Sequence, residues 1–116
     1  TILVAEDEES NYALINAILR PYDYNLIRAK NGREAVDLCL ANPRIDLILM
    51  DIKMPLMDGF EATREILKIN PDLPVIAQTA YAHPNDITRA VETGCVGYIS
   101  KPFERKDFIA MIEKYL

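Results

Sequence analysis

Long apolar runs are missing from this 116-residue chain. Nothing approaches the roughly 18 to 20 residues that a membrane-spanning helix needs, and no basic–apolar–small pattern of a secretory leader is present. Cysteine is scarce. Cys39 and Cys95 lie far apart without metal-ligand spacing, and both read as small buried hydrophobes in a reducing cytosol. Positive charge is also short: 13 Lys and Arg against 18 Asp and Glu give a net charge of −5 and a pI near 4.8. That balance argues against nucleic acid as a direct partner. Internal repeats, low-complexity tracts and interdomain linkers are absent as well. What is present is 50% hydrophobic and 27% charged, enough for one real core and too apolar for disorder. Residues 1–116 therefore fit a single domain. The chain starts at Thr1 rather than Met and stops at Leu116, and is expected to be a piece of a longer protein.

Short apolar runs alternate with helical patterns five times along the chain. Ile2–Ala5 reads as a buried strand, followed by a helix with Asn11, Leu14, Ile15, Ile18 and Leu19 at helical spacing and Pro21 beyond its end. Tyr24 to Ala29 reads as a weaker edge strand, and Asn31-Gly32 turns into a helix carrying Ala35, Val36, Cys39 and Leu40. Ile45 to Met50 is the most apolar strand, which requires cover on both faces. Asp58 caps a third helix with Ala62, Ile66 and Ile69 on one side. Strand four is Val75–Ala77, and a helix from Pro84 to Gly94 turns Ile87, Ala90 and Val91 inward. Strand five is Val96–Ile99, and a last helix directs Phe108, Ile109, Ile112, Tyr115 and Leu116 to the core. Gly59 and Gly94 read as turn and cap positions. The expected fold class is α/β: a doubly wound five-stranded parallel sheet in the order 2-1-3-4-5.

In such a sheet, ligands bind beyond the carboxyl ends of the strands, at the point where the winding reverses. Strand one runs into Glu6 and Asp7, strand three into Asp51, strand four into Thr79, and strand five into Ser100 and Lys101. Crowded carboxylates repel one another unless a cation intervenes. Mg²⁺ suits an open rim because it keeps several waters and takes few protein carboxylates. A carboxylate beside Mg²⁺ and an ammonium is a reasonable nucleophile toward phosphorus and would yield an acyl phosphate. Lys101 and the cation would offset charge on the transferring group, with Thr79 donating a hydrogen bond. Taken singly, each residue has an ordinary explanation as a helix-start acid, a strand end or a surface lysine. Their convergence on one rim does not.

Five motifs in register resemble the response-regulator receiver domains of two-component signalling over essentially the whole chain. They are Glu6-Asp7, Asp51, the loop Met54-Pro55-Leu56-Met57-Asp58-Gly59, Thr79-Ala80 and Lys101-Pro102. The resemblance implies a flavodoxin-like (βα)5 domain whose Asp51 takes a phosphoryl group from a histidine kinase or histidine phosphotransfer domain. It implies Mg²⁺ bound by Glu6, Asp7, Asp51 and the backbone carbonyl of Lys53, with Asp7 direct and Glu6 through water. Thr79 and Lys101 would contact the phosphoryl group, and Ala80 would keep access open. Tyr98 would be the aromatic switch responding to Thr79, and a cis peptide is expected at Lys101-Pro102. Lys53 and Tyr81 match positions that tune hydrolysis of the acyl phosphate.

The same resemblance implies a cytoplasmic signalling domain rather than a turnover enzyme. Helix four, strand five and helix five would form its output face, which is also a candidate homodimer surface. Glu6 departs from the commoner Asp-Asp pair. Glu-Asp with a nearby Asn11 is the variant often found in receivers of hybrid histidine kinases, whose parent chain can be membrane-anchored. His83, the single histidine, lies against Pro84 in a loop and is assigned no catalytic part. Two rival readings are a haloacid-dehalogenase-like phosphohydrolase and an interaction module that no longer takes phosphate. The first requires a second Asp where Lys53 stands; the second sits poorly with an intact set of polar residues.

Overall fold

The computed structural model describes residues 1–80 and 84–116. Its elements are β1 (Ile2–Ala5), α1 (Glu9–Leu19), a 3₁₀ turn (Arg20–Tyr22), β2 (Leu26–Ala29), α2 (Gly32–Ala41) and β3 (Leu47–Asp51). They continue with α3 (Gly59–Ile69), β4 (Val75–Thr79), α4 (Pro84–Thr93), β5 (Gly97–Ser100) and α5 (Arg105–Tyr115). Every strand pair is parallel, and the sheet order is β2-β1-β3-β4-β5, as the alternation predicts.

The central strands are apolar throughout because alternate side chains enter two different layers. Ile2, Val4, Leu47, Leu49 and Ile76 pack with Ile15 of α1 and Phe108 and Ile112 of α5. Leu3, Ala5, Ile48 and Met50 pack with Val36 of α2 and Ile66 of α3 on the other face. A much smaller cluster of Ile52, Phe60, Ala77 and Ala90 seats α4. Among the described residues, no helix is long and apolar enough to cross a membrane.

Helix starts follow local chemistry. The Asn31 side chain accepts from the Glu34 amide at 2.8 Å, and Asp58 accepts from the Glu61 amide at 2.9 Å, capping α2 and α3. Several boundaries differ from expectation. β2 begins at Leu26, because Tyr24 instead stacks on Tyr22 in the preceding turn. β3 begins at Leu47 and includes Asp51, while Val96 is exposed before β5. Leu14, Leu40, Ile69, Val91 and Leu116 are exposed rather than core-facing. Each lies at the flank of its helix's buried stripe or at a helix end, where no second layer reaches. Cys39 is buried and Cys95 half-buried, and both are free thiols.

Candidate functional site

Register assembles the site. β1 and β3 pair with Ala5 opposite Met50, and β3 and β4 pair with Asp51 opposite Gln78. Glu6 extends β1 by one residue, its amide donating to the Ala29 carbonyl at 2.9 Å. Glu6, Asp51 and Gln78 therefore form one row across the strand ends, and period-two alternation turns them toward the α1/α5 layer. From the next strand but one, the Lys101 amide donates to the Thr79 carbonyl at 2.7 Å, and the Lys101–Pro102 bond is cis as expected. Thr79 is buried as the last residue of β4, and Ser100 ends β5.

The ammonium of Lys101 bridges the row. Its Nζ lies 3.1 Å from Glu6 Oε1 and 3.3 Å from Asp51 Oδ2. The Lys53 amide donates to the other Asp51 oxygen, Oδ1, at 3.3 Å. Asp7 is exposed at the rim, and one carboxylate oxygen each from Glu6, Asp7 and Asp51 lies within 4.8 Å of the others. Burial, then hydrogen bonding and repulsion from Asp51, push the Glu6 carboxyl up to about 8; Lys101 offsets only part of this. Burial pulls the Lys101 ammonium down, but the charges of Asp51 and Glu6 and their hydrogen bonds more than offset it and raise its pKa.

Among the described residues, the buried side-chain atoms without a hydrogen-bond partner are Glu6 Oε2 and both amide atoms of Gln78. A single ammonium thus leaves the carboxylate cluster incompletely compensated. Its all-oxygen donor set, open on the Asp7 side, fits a hard divalent cation such as Mg²⁺.

The loop after β3 is held tightly against this row. The Gly59 amide donates to the Ile52 carbonyl at 2.8 Å, and a Cβ at Gly59 would lie 2.3 Å from the Asp51 carbonyl oxygen. Met57 donates to Pro55 at 2.8 Å across Leu56, whose φ is 67°. The Gly32 amide donates to the Met57 carbonyl at 3.1 Å. Gly59 is thus required by close approach at the first position of α3, not by a turn.

A cleft of about 470 Å³ opens beside Asp51, Thr79, Ala80 and Lys101, walled on its far side by Leu14, Ile15 and Phe103. Tyr98 is not in it. It is 39% exposed and borders a separate groove of about 300 Å³ with Val91, Val96 and Tyr115. Tyr81 and His83 lie outside the described residues. Two polar residues, one in the row and one beside it, escaped the sequence reading. Gln78 had a signal, as the polar interruption of an apolar strand; Arg28, on the edge strand, had none.

Residues 2–113 match the family described as Response regulator receiver domain. The polar-differentiation response regulator DivK of Brucella anthropi is 42% identical over 119 aligned positions, which cover 100% of this chain and 95% of that protein. The transcriptional regulatory protein ZraR of Escherichia coli is 36% identical over 115 positions, 99% of this chain and 26% of that protein. Among solved structures, the receiver domain of sensor histidine kinase PA1611 from Pseudomonas aeruginosa carries a magnesium ion coordinated in its active-site cleft. It superposes with a TM-score of 0.90 at 34% identity, covering 98% of this chain and 94% of that one. Near-complete coverage at this identity joins the strand order and the acidic rim to one conclusion: the chain belongs to the response-regulator receiver domains of two-component signalling.

Proposed function

We propose that Asp51 accepts a phosphoryl group from the phosphohistidine of a histidine kinase or histidine phosphotransfer domain. A carboxylate oxygen of Asp51 attacks phosphorus, the P–N bond breaks, and the imidazole leaves with the bonding pair and takes up a proton. The observation that carries this reading is the Lys101 ammonium within 3.3 Å of both Asp51 and Glu6, at the mouth of a cleft shared with Thr79. Glu6, Asp7, Asp51 and the Lys53 carbonyl would hold Mg²⁺, which when bound offsets the negative charge of a phosphoryl group. Lys101 orients the acceptor carboxylate, the Lys53 amide fixes its other oxygen, and Thr79 offers its hydroxyl to the transferred group. Ala80, small and exposed at the cleft, leaves the approach open.

Thr79, drawn toward the phosphoryl group, vacates space that Tyr98 then fills. The output face of α4, β5 and α5 changes as a result, and it is the candidate surface for a homodimer. Lys53 and Tyr81 shield the attacking water and slow dephosphorylation. The domain works in the cytoplasm as a phosphoacceptor, whatever parent chain carries it. A phosphohydrolase with an aspartyl nucleophile is disfavoured by Lys53, which stands where a second acid would be needed.

The test is labelling by acetyl phosphate with Mg²⁺. The native chain should incorporate up to one phosphoryl group and stop, and Asp51→Asn should incorporate none. Labelling that survives Asp51→Asn, or continuous turnover of small phosphate esters, would overturn the assignment.

A further inference from the structure

We infer that Arg28 is a positioning residue for the acidic pair, its guanidinium fixing the main chain of Glu6 and Asp7 so that their carboxylates face the cation site. The inference rests on the metal-dependent reading above. Arg28 lies on the edge strand β2, opposite Val4, with its side chain only 14% exposed. Its Nε donates to the Glu6 carbonyl at 3.1 Å, Nη2 to the Asp7 carbonyl at 3.4 Å, and Nη1 to Glu9 Oε1 at 2.8 Å. Its Cζ sits 4.6 Å from the centroid of the Tyr12 ring.

The main-chain reason is the end of a ladder. The Glu6 amide still pairs with β2 through the Ala29 carbonyl, but β2 stops there and the chain turns at Asn31 into α2. Arg28 supplies a side-chain donor to the Glu6 carbonyl where the strand pairing runs out, and a second to the Asp7 carbonyl. With two successive carbonyl directions set, rotation of this segment about its own axis is set, and with it the direction of both Cα–Cβ bonds. Glu9 and Tyr12, both on α1, hold the guanidinium in turn. Lysine cannot do this: a single ammonium lacks the planar fork that reaches separated acceptors.

Charge alone makes the opposite prediction. A cation beside a cation site weakens it, so an Arg acting only through its charge would lower Mg²⁺ affinity. The full chain is titrated with Mg²⁺, followed by amide resonances, as the parent, Arg28→Lys and Arg28→Gln. Labelling by acetyl phosphate is measured alongside at limiting and saturating Mg²⁺. Both variants should raise the Kd for Mg²⁺ about tenfold, as loss of an outer-shell support typically does, and saturating Mg²⁺ should restore labelling. Arg28→Lys binding like the parent, Arg28→Gln binding more tightly, or a labelling deficit that saturating Mg²⁺ does not repair would each overturn the inference.

Should Arg28→Lys not fold, Arg28→Gln carries the same comparison. The parent itself supplies a check without substitution: the Arg28 Nε proton should exchange slowly with solvent, and fast exchange sinks the clamp. A parent that binds no Mg²⁺ removes the metal-dependent reading and this inference together. A parent that binds while both variants match it removes the inference alone.

Discussion

Glu6 combines full burial, a neighbouring carboxylate and an oxygen with no hydrogen-bond partner. Its folded-state pKa of about 8 lies above the ordinary 4.5, so the folded protein holds this proton more tightly than the unfolded chain. The contribution to stability is complete below pH 4.5 and is lost as pH rises through 8. With divalent ions chelated, the urea midpoint should therefore fall across that window, and Glu6→Gln should flatten the slope. An unchanged slope in that variant would show that another group is responsible. Gln78 presents the neutral form of the same cost, since a buried carboxamide without partners is penalised relative to an apolar side chain of similar volume. Gln78→Leu should raise unfolding free energy by about 1 to 3 kcal/mol, measured by urea denaturation; a loss of stability would mean the amide is satisfied. The acidic pair, Asp51, Thr79 and Lys101 were all legible as residue types after apolar runs. The state of Glu6 was not, because its pKa depends on neighbours from β3 and β5.

At the scale of elements, the junction from β3 to α3 does the most to shape the site. Asp51 ends the strand, Asp58 caps the helix, and Gly59 lets the helix start lie against the strand's last carbonyl. Gly59→Ala would place a methyl group 2.3 Å from the Asp51 oxygen and 2.8 Å from the Ile52 Cα, both main-chain atoms that cannot step aside alone. The expected cost is about 1 to 3 kcal/mol, as for other overpacked sites, together with slower labelling of Asp51. Equilibrium unfolding and acetyl phosphate kinetics read the two effects, and a variant as stable and as reactive as the parent would contradict the packing argument. Periodicity located every strand and helix because each core helix repeats its apolar stripe and each central strand is continuously apolar. Boundaries slipped by a residue or two at β2, β3, β4 and β5. Turn-facing Tyr24 and exposed Val96 blur β2 and β5, buried Ile45 lies before β3, and polar Gln78 and Thr79 extend β4; hydropathy marks none of these ends.

Across the whole molecule, stability is unevenly distributed. α3 buries Phe60, Ala62, Thr63 and Ile66 and α5 buries Phe108 and Ile112, whereas α4 buries Ala90 and Thr93 alone among its residues. Arg89 adds a contact over the Phe60 ring, its Cζ 4.3 Å from the centroid. Few buried apolar contacts make an element open at low free energy. Native-state hydrogen exchange should therefore find α4 amides less protected than those of α3 and α5. Equal protection would mean α4 opens only with the whole domain.

The sequence by itself determined the strand and helix alternation, the parallel five-stranded order and the identity of the polar residues at the strand ends. Those properties follow from local periodicity and from chain connectivity, which one dimension contains. Only the tertiary structure decided that Lys101 bridges Glu6 and Asp51, that Gly59 abuts the Asp51 carbonyl, and that Arg28 grips the main chain of the acidic pair. The Gly59 contact depends on how α3 docks against the end of β3, and the Lys101 and Arg28 contacts depend on the register between strands distant in sequence. A shift of one residue in that register would turn these side chains to the opposite face.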